Sequence, residues 1–151
     1  ATDAAAMRLQ KNTSLALYSV LEFARTPERH IAAAEIAEKY DISAHHLAKV
    51  LAELARSGML ASVRGAGGGY RFTGNAKRLT LMDIIQMFED FGNGAAAAAA
   101  PQSGPVEAAL GLVLSEIDEN AKATFKSITL ATMLRLIERQ QAGTHSPRGP
   151  R

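Results

Sequence analysis

The 151 residues contain no cysteine and no tryptophan. Without cysteine there is no disulfide framework and no thiolate to hold a metal. No stretch is long and apolar enough to span a membrane, and no signal-peptide pattern opens the chain, so a cytoplasmic protein without a membrane partner is expected. The marks of an enzyme are also missing: no Ser/His/Asp order, metal-ligand spacing or carboxylate pair stands out. An excess of one charge is nearly absent, at +2 overall, but the charge is unevenly spread. Residues 1–80 hold 11 Lys and Arg against 7 Asp and Glu, and residues 81–151 hold 6 against 8. A basic front half and an acidic back half suit a nucleic-acid binder with a separate regulatory or dimerisation part. Hydrophobic residues make up 47% of the chain, enough for a real core.

The stretch Val63-Arg64-Gly65-Ala66-Gly67-Gly68-Gly69-Tyr70-Arg71-Phe72 organises the rest. Short apolar runs enter and leave it, and the glycines between them can take positive φ without a Cβ clash. The pattern is a β-hairpin with a glycine-rich tip. It is a poor phosphate loop, because Tyr70 stands where the dinucleotide fingerprint needs its last glycine and no Lys-Ser/Thr follows.

Ala1–Ala6 reads as an expression remnant ahead of Met7. Leu17, Val20, Leu21 and Ala24 then mark a first helix, which Thr26-Pro27 stops. A short second helix runs from Ala33 to Tyr40. Ser43 is a good N-cap for a third, with Leu47, Val50, Leu51 and Leu54 on one face and Gly58 as its expected end. Two short helices with a tight connection, followed at once by a hairpin, make a winged helix-turn-helix over residues 7–80. In that arrangement the third helix enters the major groove of DNA. Its first residues, Ser43, Ala44, His45, His46 and Lys49, then face base edges or phosphate, and Ala48 can meet a thymine methyl. Lys11 and Lys49 are candidate phosphate contacts. Arg64 and Arg71 flank a wing whose Gly65, Gly67, Gly68 and Tyr70 complete the candidate DNA-binding set.

Thr80 caps a fourth helix from Leu81 to about Asp90. Residues 92–105 are low in complexity and read as a loop. Pro105 opens a long helix to about Lys126, and Leu110, Val113, Leu114, Ile117 and Phe125 form its candidate dimerisation surface. A last helix from Ser127 to Gln141 completes a second part over residues 81–141, and residues 142–151 read as a flexible basic tail. The expected fold is mainly α with a small β-hairpin wing, a winged helix-turn-helix plus a long dimerisation helix.

Several segments carry a resemblance. They are Met7-Arg8-Leu9, Glu35-Ile36-Ala37-Glu38, Ile42-Ser43-x-x-x-Leu47, the Arg64-Gly65-x-Gly67-Gly68-Gly69-Tyr70 wing, Leu81-x-Asp83-Ile84-Ile85, Glu89-Asp90 and Ile128-Thr129-Leu130. Together they resemble the IscR/NsrR/RirA-type (Rrf-type) family of bacterial transcription regulators, from Met7 to about Gln141. The resemblance implies a homodimer that binds a pseudo-palindromic double-stranded DNA operator through two winged heads. It also implies, in many members, an iron–sulfur cluster held by three cysteines in the loop after the fourth helix, whose state tunes DNA affinity.

Here the sequence departs from the family. The segment from Phe91 to about Ala108 has alanines and no cysteine, and Ser14 stands where some members use a carboxylate ligand. The histidines do not replace the missing thiolates. His45 and His46 point roughly 100° apart on one helix, and His30 and His145 lie in turns or tails. The expectation is therefore no metal site and no cofactor in this sequence, with a cluster possible in a native form bearing cysteines around Ala95–Ala108. The run Ala95–Ala100 fits a cysteine-free member, a Cys→Ala variant, or alanine standing in for residues of other identity. The expected function is a repressor of the iron–sulfur, redox or nitric-oxide-sensing type in cluster-free form. A winged-helix protein-interaction module without specific DNA binding is the alternative.

Overall fold

The computed structural model describes residues 9–64, 69–89 and 104–145. Helix α1 (Lys11–Arg25) buries Leu15, Ala16, Val20 and Phe23 on one side, the periodicity that an amphipathic helix needs. Helix α2 (Ala33–Lys39) is two turns long and buries Ile36 and Ala37. It closes with Asp41 in the left-handed region (φ 53) and the Ile42 N–H donating to the Ala37 carbonyl at 2.8 Å. That is a Schellman-type end with aspartate in the place usually taken by glycine. It supplies the sharp turn before helix α3 (Ala44–Arg56).

Ser43 Oγ accepts from the His46 N–H at 3.3 Å and caps α3. The helix buries Leu47, Val50, Leu51 and Leu54. It ends on Gly58 (φ 89), with the Met59 N–H donating to Leu54 O at 3.2 Å. Strands β1 (Leu60–Val63) and β2 (Gly69–Phe72) follow as an antiparallel pair, in register Leu60 with Phe72 and Val63 with Gly69. Ile31 adds a bridge on the far side of β2, exchanging both backbone hydrogen bonds with Tyr70 at 2.9 Å. The wing is thereby fastened to the chain between α1 and α2.

Helix α4 (Leu81–Phe88) opens on a reciprocal capping box: Asp83 N–H donates to Thr80 Oγ1, and Thr80 N–H donates to the Asp83 carboxylate. It buries Met82, Ile84 and Ile85 and packs on α1. Helix α5 (Pro105–Ser127) is 23 residues long and has no buried residue. Helix α6 (Leu130–His145) returns to the head, where Leu130 is fully buried and donates its N–H to Leu79 O. Composition suggests a tail from residue 142, whereas α6 runs through Gly143 to His145. One glycine weakens a helix without ending it, and the first residue that forbids continuation is Pro147. The core joins α1, α2, α3, the hairpin, Ile84 of α4 and Leu130 of α6. Among the described residues no helix is long and apolar enough to cross a membrane.

Candidate nucleic-acid interface

The buried stripe of α3 fixes which residues it presents outward. Ala44, His45, Ala48 and Lys49 are exposed at its start, and the Ser43 cap leaves the helix's positive end at this surface. His46 behaves differently. It is half-buried, and with Asn12, Lys49, Val50, Glu53, Met87 and Phe88 it lines a groove of about 370 Å³ between α1, α3 and α4. Its Nε2 is buried without a hydrogen-bond partner among the described residues. His46 stands four residues before buried Val50, so helical periodicity turns it inward while His45 stays out. The expectation of two adjacent base readers thus becomes one outward histidine and one that faces α4.

The wing shows a similar division. Strand alternation puts Tyr70 on the face of buried Phe72 and leaves Arg71 exposed on the other. The Tyr70 ring meets Phe23 edge-on, with centroids 6.3 Å apart. Tyr70 is therefore partly buried and anchors the hairpin against α1. Arg64 is exposed at the end of β1. Gly65, Gly67 and Gly68 lie outside the described residues. Gly69 has a firm steric reason: a Cβ there would stand 2.4 Å from Ile31 O.

Pairing separates the cations of the head into two groups. Arg25 and Lys39 bind Glu22, Arg29 binds Glu35, and Arg56 binds Glu53. Lys11, Lys49, Arg64 and Arg71 have no ion-pair partner among the described residues. Nor do Lys77 and Arg78, on the turn after the wing, which sequence reasoning passed over. Their signal was the basic dipeptide directly behind the hairpin. Unpaired guanidinium and ammonium groups on a recognition helix and wing are available to phosphate without first breaking a salt bridge.

On α5, Val106, Leu110, Val113 and Ile117 are exposed, Val106 at 80% and Ile117 at 53%. Their spacing of four, three and four is the a/d pattern of a helix-pairing seam. Leu114 borders the seam at 50% exposure. Phe125 is half-buried in its own protomer and, eight residues on from Ile117, lies about 80° around the helix, so it sits apart from the seam with which it was grouped. The donor set does not fit an iron–sulfur cluster. The chain has no cysteine, and no three His, Cys, Asp or Glu side chains gather among the described residues. Residues 95–103, where cysteines were sought, lie outside the described residues.

The profile of the Rrf2 family, described as iron-dependent transcriptional regulators, matches residues 9–136. The chain is 49% identical over 144 residues to BadM of Rhodopseudomonas palustris, whose name places it with the HTH-type transcriptional regulators; the match covers 95% of this chain and 90% of BadM. In fold it is similar to T. potens IscR, with a TM-score of 0.71 and 22% identity over 97% of this chain and 96% of that one. It is also similar to CymR (YrzC) of B. subtilis, titled a global cysteine regulator, with a TM-score of 0.69 and 23% identity over 87% and 98% of the two chains. These relatives are transcriptional regulators and not enzymes, and the chain belongs to the Rrf2 family.

Proposed function

We propose that this protein is a homodimeric, sequence-specific DNA-binding repressor that reads a pseudo-palindromic operator. The observation that carries the reading is the exposed start of α3 and the wing, where Lys49, Arg64 and Arg71 stand without ion-pair partners among the described residues. In that role α3 lies in the major groove with His45 and Ala48 toward base edges, while Lys49 and Lys11 take phosphate. Arg64 and Arg71 follow the adjacent backbone or minor groove. His46 sets the seat of α3 on α4 and affects base choice only through that seat.

The seam on α5 supports the dimer. A row of exposed apolar side chains on a helix with no buried residue is a surface that water disfavours. Two copies related by a two-fold axis cover it, and each brings one winged head to one half-site. With no thiolate to offer, the chain acts in a cluster-free form, so treatment with iron and sulfide should leave it colourless.

Selection from a pool of randomised duplexes tests the reading. The expected product is an inverted repeat whose half-sites lie about one helical turn apart. Recovery of unrelated sequences, or of a single unrepeated element, would contradict it.

A further inference from the structure

Helix α1 begins without the usual local support. Its N-cap residue, Gln10, makes no side-chain cap bond, and its first turn has no acidic residue. The free N–H groups and positive end of such a turn need a partner from elsewhere. Glu89 provides it from 79 positions along the chain: its Oε2 accepts from Gln10 N–H at 2.7 Å and from Thr13 Oγ1 at 2.6 Å. Thr13 is completely buried, so its hydroxyl has no water to fall back on. Glu89 is also the residue that ends α4, donating its own N–H to Ile85 O at 2.8 Å. One residue thus closes α4 with its backbone N–H and caps α1 with its carboxylate.

This junction abuts the recognition helix. Asn12 of the capped turn and Phe88 beside Glu89 line the same groove as His46 and Lys49 of α3. Lys11, exposed and without an ion-pair partner among the described residues, lies in the sequence between Gln10 and Thr13, the two residues that Glu89 holds. We propose that Glu89 is a positioning residue for DNA binding: its carboxylate fixes the first turn of α1, and with it Lys11, against the recognition helix. This rests on the DNA-binding reading above.

The test is a double-mutant cycle of Glu89→Ala and Lys11→Ala on a selected operator across a salt series, with thermal unfolding of each variant. Below its melting temperature, Glu89→Ala should weaken operator binding about tenfold and lower the log–log salt slope by about one, as Lys11→Ala does. Lys11→Ala should then cost little more in the Glu89→Ala background, since the two changes remove one contact. Glu89→Gln keeps an acceptor oxygen and should recover most of the affinity. If Glu89→Ala does not fold, Thr13→Val removes one of the two donors at nearly the same shape and should show the same coupling to Lys11. Equal costs of Lys11→Ala in both backgrounds, with only the melting temperature lowered by Glu89→Ala, would overturn the proposal and leave Glu89 as a plain structural cap. A parent protein that binds no duplex specifically would contradict the DNA-binding reading itself, and this proposal with it.

Discussion

Glu22 holds three groups at once where α1 meets α2. Lys39 Nζ lies at 2.6 Å, Arg25 Nη1 at 3.4 Å, and the Tyr40 hydroxyl donates to the same oxygen as Lys39. Tyr40 in turn stacks on Tyr18 with centroids 5.0 Å apart. Burial pushes the Glu22 carboxyl up, but hydrogen bonds from Lys39 and Tyr40 and the nearby charges outweigh it and hold the group below its usual value. Burial first, and the bond to Glu22 second, push the Tyr40 phenol well up. A carboxyl lowered in the folded state stabilises above its unfolded value of 4.5 and loses that contribution as pH falls through the folded value. Glu22→Gln should therefore lower stability by about 1 kcal/mol at neutral pH, a figure kept small because Lys39 and Arg25 are partly solvated. Denaturant titrations from neutral pH down through pH 4 check this. The gap between parent and variant should narrow in acid, and a constant gap would contradict the assignment. Sequence spacing offered only the Glu22–Arg25 pair, three residues apart on α1; Lys39 and Tyr40 join it from the end of α2 only in the folded chain.

At the scale of elements, most of the fold was legible. Ser43, Gly58 and Thr80 occupy cap positions that local chemistry dictates, so α3 and α4 could be placed from their ends as well as their stripes. What was hidden depends on contacts distant in sequence. The Ile31–Tyr70 bridge fastens the wing and turns Tyr70 into a packing residue. Glu89 looked like a family mark and proved to be the cap of α1. Two wing substitutions should separate anchoring from contact. Gly69→Ala forces a Cβ into the Ile31 backbone and should cost about 1–3 kcal/mol of stability, with operator affinity falling as the wing shifts. Arg64→Ala touches no core and should leave stability unchanged while weakening operator binding by about 1–3 kcal/mol. Thermal melts and binding isotherms on both variants decide the matter. A stability loss in Arg64→Ala, or none in Gly69→Ala, would show that the wing is held differently.

At the scale of the whole molecule, the proposed dimer rests on α5. Val106, Leu110, Val113 and Ile117 are exposed on α5, and their a/d spacing was visible in the sequence once Pro105 set the start of the helix. Phe125 was grouped with them, but its spacing of eight residues from Ile117 is not a seam spacing and carries it about 80° round the helix, where it is half-buried. Ile117→Asp should give monomers by sedimentation at micromolar concentration and abolish operator binding, since one head alone gains only half of the phosphate contacts. A dimeric Ile117→Asp protein would place the interface elsewhere. Sequence-specific DNA binding is tested most directly by salt-dependent competition: titration of the protein onto its selected duplex, and onto the same duplex with scrambled half-sites, between about 50 and 200 mM salt. The expected result is a linear fall of log affinity with log salt on both duplexes, with the intact operator bound at least about a thousandfold more tightly at physiological salt. Equal affinity for the two duplexes, or binding indifferent to salt, would contradict the assignment of this surface to operator recognition.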